Sequence, residues 1–156
     1  MHPWATKTIK TEKDLSPRVF LGYKKDMTPP RDDNQCFVCG QDNPIGLKLS
    51  FRYEDGEARC DLNIPAHFQG WKDITHGGIV ATLLDEIMAK AAHHAGHTAV
   101  TMEITVSYKK PTPAETPLRL TGRLLEQRRR VLLTQGEICD QSGTLLASAQ
   151  AKFYIT

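Results

Sequence analysis

An α+β domain, with one long central helix wrapped by an antiparallel sheet of six strands, is the fold class that three observations predict. Only one long stretch, from residue 77 to about residue 95, repeats its apolar residues at helical spacing. Six shorter segments carry strand-like alternation, two before the helix and four after it. Turn residues separate these segments, and a sheet that curls around the helix is the economical way to bury the helix's apolar stripe.

The elements follow in order. Residues 1–35 read as a polar N-terminal arm punctuated by Pro3, Pro17, Pro29 and Pro30. Its apolar content is a short patch at 19–21 and an island at Trp4, so partial disorder is expected. From Gly46, Leu47, Leu49 and Phe51 alternate with polar neighbours, Asp55-Gly56 supplies a hairpin turn, and 58–64 forms the second strand. Residues 66–75, with Gly70 and Trp71, show no periodicity and read as a loop open to function.

In the helix, Val80, Leu83, Leu84, Ile87, Met88 and Ala91 share one side. Thr82, Glu86, Lys90 and His93 mark a solvated edge, with Glu86 and Lys90 in the favourable i, i+4 order. Gly96 closes the helix. Val100, Met102, Ile104, Val106 and Tyr108 then alternate with Thr101, Glu103, Thr105 and Ser107, which turns Val100 and Met102 to the core and Thr101 to the polar face. Pro111 and Pro113 end that strand, and three more follow at 117–126, 131–139 and 144–155. Residues 36–156 are thus expected to form one domain.

The 156 residues carry 20 Lys+Arg against 18 Asp+Glu, a formal charge of +2. That balance argues against a nucleic-acid module, which concentrates positive charge on one face. No apolar run approaches the ~18 residues of a membrane span, and 1–35 hold no apolar signal region. A cytoplasmic chain that engages neither membrane nor nucleic acid is the expectation. A chain of this size buries roughly 70% of its unfolded surface and needs no disulfide, so Cys36, Cys39, Cys60 and Cys139 are expected as free thiols.

His76-Gly77-Gly78 stand at the helix start, where the first N–H groups lack partners within the helix. Two glycines let a ligand approach that backbone, which suits a carbonyl oxygen and the oxyanion formed when the carbonyl is attacked. A glycine-permitted corner capped by His76 explains the same tripeptide. Asp85 lies on a stripe of small residues, Gly78, Ala81, Ala89 and Ala92, so something comes close to it. The residues alone leave open a general base or nucleophile and an inert acid at a subunit contact. Gly78 and Asp85 are separated by about 10 Å of helix rise, whereas a reacting carbonyl sits about 3 Å from both nucleophile and oxyanion donors. Joint action therefore predicts a twofold homodimer with two shared sites.

Cys36 and Cys39 have the spacing of half a zinc site, but no second such pair completes the ligand set. Completion would need Cys60, Cys139, or His93, His94 and His97 to fold nearby. The expectation is a structural turn with two buried thiols and no metal.

The run His76-Gly77-Gly78-Ile79-Val80-Ala81-Thr82-Leu83-Leu84-Asp85-Glu86 resembles the helix motif of hotdog-fold acyl-coenzyme A thioesterases of the 4HBT superfamily, in particular its phenylacetate-degradation (PaaI-like) and THEM-type branches. Cys36-Phe37-Val38-Cys39-Gly40, Asn43-Pro44-Ile45-Gly46-Leu47 and Ser107-Tyr108-Lys109-Lys110-Pro111 extend the resemblance over most of 36–156. It implies the hotdog fold, homodimers joined sheet edge to sheet edge, and often a dimer of dimers, a homotetramer. It implies hydrolysis of an acyl-coenzyme A thioester without metal or organic cofactor. Asp85 would activate water or attack the carbonyl, an N–H at Gly77 or Gly78 of a second copy would hold the oxyanion, and His76 would shape the turn and polarise the carbonyl.

Thr101 aligns with a hydroxyl that orients the water in this branch. An Asn that the phenylacetate branch often has six residues before the His is Gly70 here, which removes a carbonyl-orienting side chain for which Gln69 or His67 would substitute. The same resemblance makes Gly70, Trp71, Lys109 and Lys110 substrate-binding, the lysines toward the coenzyme A phosphates and Trp71 toward the acyl group. Arg128-Arg129-Arg130 reads as a solvated turn. The rival expectations are a non-catalytic acyl-coenzyme A binding protein, a hotdog acyl-coenzyme A hydratase or dehydratase, and a zinc-stabilised interaction domain built on Cys36 and Cys39.

Overall fold

The computed structural model describes residues 28–156, so most of the expected arm, including the island at Trp4, lies outside the described residues. Residues 28–35 are exposed and outside regular structure. The elements are β1 (Arg52–Glu54), β2 (Glu57–Asn63), a 3-10 turn (Ala66–Phe68), β3 (Gln69–Trp71), β4 (Ile74–Thr75), α1 (Gly77–His94), β5 (Ala99–Tyr108), β6 (Pro117–Arg128), β7 (Val131–Asp140) and β8 (Leu145–Ile155). Six strands form one sheet in the order β1-β2-β6-β7-β8-β5, antiparallel throughout.

The helix stripe expected from periodicity is the buried stripe, with Leu83, Leu84, Ile87 and Met88 fully inaccessible. Each such side chain contributes about 1.5–3 kcal/mol relative to exposure. The helix can press this close because Gly122 of β6 and Gly136 of β7 are cross-strand partners beneath it. A Cβ on Gly122 would stand 2.3 Å from the Ile87 carbonyl oxygen, so the sheet carries a trough where the helix backbone lies. At the other end, Gly96 at φ +89° lets the His97 N–H turn back to the Ala92 carbonyl and closes the helix.

Four expectations are corrected. The alternation at 46–51 is not a strand, because Lys48 sits at φ 54° and breaks the extended path. Leu47 and Leu49 instead donate to the Phe37 and Val38 carbonyls and pack on the core from a loop, and the ladder starts at Arg52. The stretch 66–75 is not an open loop but the 3-10 turn and the β3–β4 hairpin, elements too short to show a period. The Glu86–Lys90 edge is not solvated, since the 36–40 turn covers it and leaves those side chains 15% and 24% exposed. In β5, the pairing with β8 skips a residue between Thr101 and Glu103. This bulge at Met102 reverses the facing of everything before it, so Thr101 points to the helix.

Candidate active site

The site grows from the helix start. His76 is the N-cap, with φ −59° and ψ 134°, and its Nδ1 accepts the Gly78 N–H at 2.9 Å. An accepting Nδ1 leaves the proton of the neutral ring on Nε2. The Ile79 and Val80 N–H groups turn back to the His76 carbonyl. Of the first-turn donors, Gly77 N–H alone has no hydrogen-bond partner among the described residues. Tyr108 donates from its hydroxyl to the Gly77 carbonyl at 2.8 Å, bracing the turn from β5.

Two turns further along α1, Asp85 is half-buried and accepts a 2.9 Å hydrogen bond from the Thr101 hydroxyl at Oδ1. Burial pushes its carboxyl above the ordinary aspartate range and Glu86 adds to that, while the Thr101 bond pulls the other way. The bulge at Met102 creates this contact. Strict alternation would have turned Thr101 away.

Beside the helix start lies a cavity of about 450 Å³ lined by Trp71, Ile74, Thr75, Gly77, Val80, Tyr108, Lys109, Lys110, Pro111 and Thr112. Of the residues expected to bind substrate, Trp71, Lys109 and Lys110 are on this wall, and Trp71 is 80% exposed. Gly70 is not. It backs the His76 ring, where a Cβ would come within 3.2 Å of His76 Cα and Cδ2, so its place is packing that fixes the cap. Gln69 holds the Asp73 N–H through its side-chain oxygen, and His67 packs on Phe68, so neither lines the cavity. The arginine run caps the β6–β7 turn away from it, with Arg128 on Glu126 and Arg130 over Tyr154.

Sequence reasoning missed Thr75 and Thr112. Both line the cavity, and both hydroxyls are buried with no hydrogen-bond partner among the described residues. Unpaired buried hydroxyls are uncommon, and no local pattern in the sequence marks them. Asp85 is absent from this wall, as the helix rise between it and the glycines requires. One copy of the chain therefore holds the acid and the free N–H in separate places. Cys36 and Cys39 gather not with Cys60, Cys139 or the histidines at the helix end but with Glu86.

A carboxylate-bearing central helix, a glycine turn and six antiparallel strands around them define the class, a hotdog-fold domain. Residues 73–147 match the family model of the thioesterase superfamily. Acyl-coenzyme A thioesterase THEM4 of Xenopus laevis is 23% identical over 137 residues, 85% of this chain and 62% of the frog protein. Among solved structures, the thioesterase superfamily protein RHA08564 superposes with a TM-score of 0.74 at 27% identity, over 79% of this chain and 61% of that one. Protein smu.793 of Streptococcus mutans, solved bound to acetyl CoA, gives 0.65 at 21% identity, over 69% of this chain and 88% of that one. The chain thus spans less than two thirds of the frog relative and of RHA08564.

Proposed function

We propose that the chain hydrolyses an acyl-coenzyme A thioester to a free acid and coenzyme A. The observation that carries this reading is the half-buried Asp85 carboxylate held at one oxygen by Thr101. With Oδ1 occupied, the other oxygen is left to take a proton from water. The water oxygen bonds to the thioester carbonyl carbon, the carbonyl electrons move to oxygen, and the C–S bond breaks on collapse. The thiolate leaves with the proton that water lost. A carboxyl shifted up toward neutrality is a better base for this transfer.

The developing oxyanion needs a donor about 3 Å from the carbonyl oxygen, and Gly77 N–H is the uncommitted one. Because Asp85 lies about 12 Å along the same helix, the donor comes from a second copy, and the working enzyme is a homodimer. Strand β5 supports that assembly, since it ends the sheet order and pairs only with β8 among the described strands. The cavity beside Gly77 takes the coenzyme arm. The Thr75 and Thr112 hydroxyls meet its amide groups, Lys109 and Lys110 meet its phosphates, and Trp71 covers the entrance. The relatives named acyl-coenzyme A thioesterase, and the acetyl CoA in the streptococcal structure, support the substrate class. No further cofactor enters the chemistry.

The test is thiol release from short, long and aromatic acyl-coenzyme A thioesters by wild type and Asp85→Asn. Asp85→Asn is expected to lose at least about a hundredfold in kcat while remaining folded. Equal activity of the two would remove Asp85 from the mechanism. Absence of turnover on every thioester, with coenzyme A esters still bound, would replace hydrolysis by binding.

A further inference from the structure

The Cys36–Cys39 turn meets the helix one residue beyond Asp85. Three potential ligand atoms, Cys36 Sγ, Cys39 Sγ and a Glu86 carboxylate oxygen, lie within 4.8 Å of one another and are half-buried. Cys36 Sγ is 4.0 Å from Glu86 Oε2. The turn is wound tightly around the first sulfur. The Val38 N–H points at Cys36 Sγ at 3.4 Å, and the Gly40 N–H returns to the Cys36 carbonyl at 2.8 Å. A Cβ at position 40 would stand 2.5 Å from Asn34 O and Cys36 N, so only glycine closes the turn in this form.

We propose that Cys36, Cys39 and Glu86 form a binding site for a divalent cation of the zinc class, with its fourth position left to water. Two soft sulfurs and one carboxylate suit that class, and a tetrahedral ion with bonds of about 2.0–2.3 Å draws such atoms together by small movements. Charge also balances. Two thiolates and the Glu86 carboxylate make three negative charges, offset by the ion and by the Lys90 ammonium, which lies 3.4 Å from Glu86 Oε1. Binding releases thiol protons, because cysteine ligates a metal as the thiolate. Its effect is to tie the 36–40 turn, and with it Leu47 and Leu49, to the helix that carries Asp85.

The experiment uses the full chain, reduced and stripped by a chelator, then titrated with Co²⁺ as an optical probe and with Zn²⁺ as competitor. One Co²⁺ per chain is expected, with thiolate-to-cobalt charge-transfer absorption that Zn²⁺ abolishes. Zn²⁺ is further expected to protect Cys36 and Cys39 from alkylation, read by mass spectrometry, and to raise the unfolding midpoint. Cys36→Ser and Cys39→Ser should each lose charge-transfer intensity, whereas Glu86→Gln should keep it and shift the visible bands. The wild-type titration needs no variant to fold. Absence of thiolate absorption in wild type overturns the site. So does absorption that neither cysteine substitution changes, since the ion would then sit on other ligands.

Discussion

Asp85 and Thr101 meet in one hydrogen bond, and the proposed reaction gives them one task. The carboxyl sits above its ordinary range because the helix stripe and β5 withdraw water from it, and Thr101 moderates that rise. As a base, Asp85 works only when deprotonated, so kcat should climb with pH and level off once the carboxyl has ionised. Thr101→Val removes the hydrogen bond that favours the charged form, so the rising limb should move to higher pH. Loss of the contact that orients the carboxylate should also lower the plateau kcat by about tenfold or more, measured as a pH–rate profile against wild type. The same shift fixes the sign of a stability effect. A carboxyl whose folded value is raised holds its proton more tightly in the native state, so its cost is absent below the unfolded value and fully present above the folded one. Asp85→Asn should therefore raise the unfolding midpoint at neutral pH and leave it nearly unchanged in acid, while abolishing activity. At this scale the sequence singles out Asp85 from its small-residue stripe and leaves its role open. It does not identify Glu86 as a neighbour of the two cysteines, because i, i+4 pairing with Lys90 already accounts for that glutamate on a solvated edge. Only the 36–40 turn, fifty positions away in the chain, covers it.

Elements carry the rest of the geometry. The helix and five of the six strands are legible because each sustains a period over seven residues or more. The remainder is set by single residues that periodicity passes over. Lys48 at positive φ ends the alternation at 46–51 before it pairs, and Met102 adds one residue to β5, which exchanges the faces of Val100 and Thr101. A reading that counts by twos cannot detect an extra residue when the residues on both sides keep alternating in type. Gly122 and Gly136 act at the same scale. Neither marks a turn, and their adjacency across β6 and β7 appears only once the register is set. Because the Gly122 Cβ position is occupied by the Ile87 carbonyl, Gly122→Ala must lift α1 off the sheet. The expected cost is about 1–3 kcal/mol or more, read as a lower urea midpoint with an unchanged slope. A weaker effect is expected for Gly136→Ala, whose Cβ would meet the Met88 Cγ at 3.1 Å, an atom on a flexible side chain.

At the scale of the whole molecule, the proposed reaction needs two groups that a single chain keeps apart along its helix. Asp85 and Thr101 face one region, Gly77 N–H and the cavity another, and the ten-residue strand β5 has an outer edge that no described strand covers and that a second copy can pair with. Shared sites make a prediction that isolated sites do not. Gly77→Pro is the clean way to delete the proposed oxyanion donor, because proline is favoured at the first helical position, where its missing N–H breaks no helical bond. His76 already has the extended ψ of 134° that a following proline requires, and the Tyr108 ring stands 3.5 Å or more from the Gly77 Cβ position. The variant should fold and lose about a hundredfold or more in kcat. Mixed after reversible dissociation with Asp85→Asn chains, it should recover activity. In each mixed dimer one site carries both lesions and the other carries none, so random pairing restores about a quarter of the wild-type rate. Two inactive chains that stay inactive after proven subunit exchange would place acid and donor within one protomer and remove the shared site.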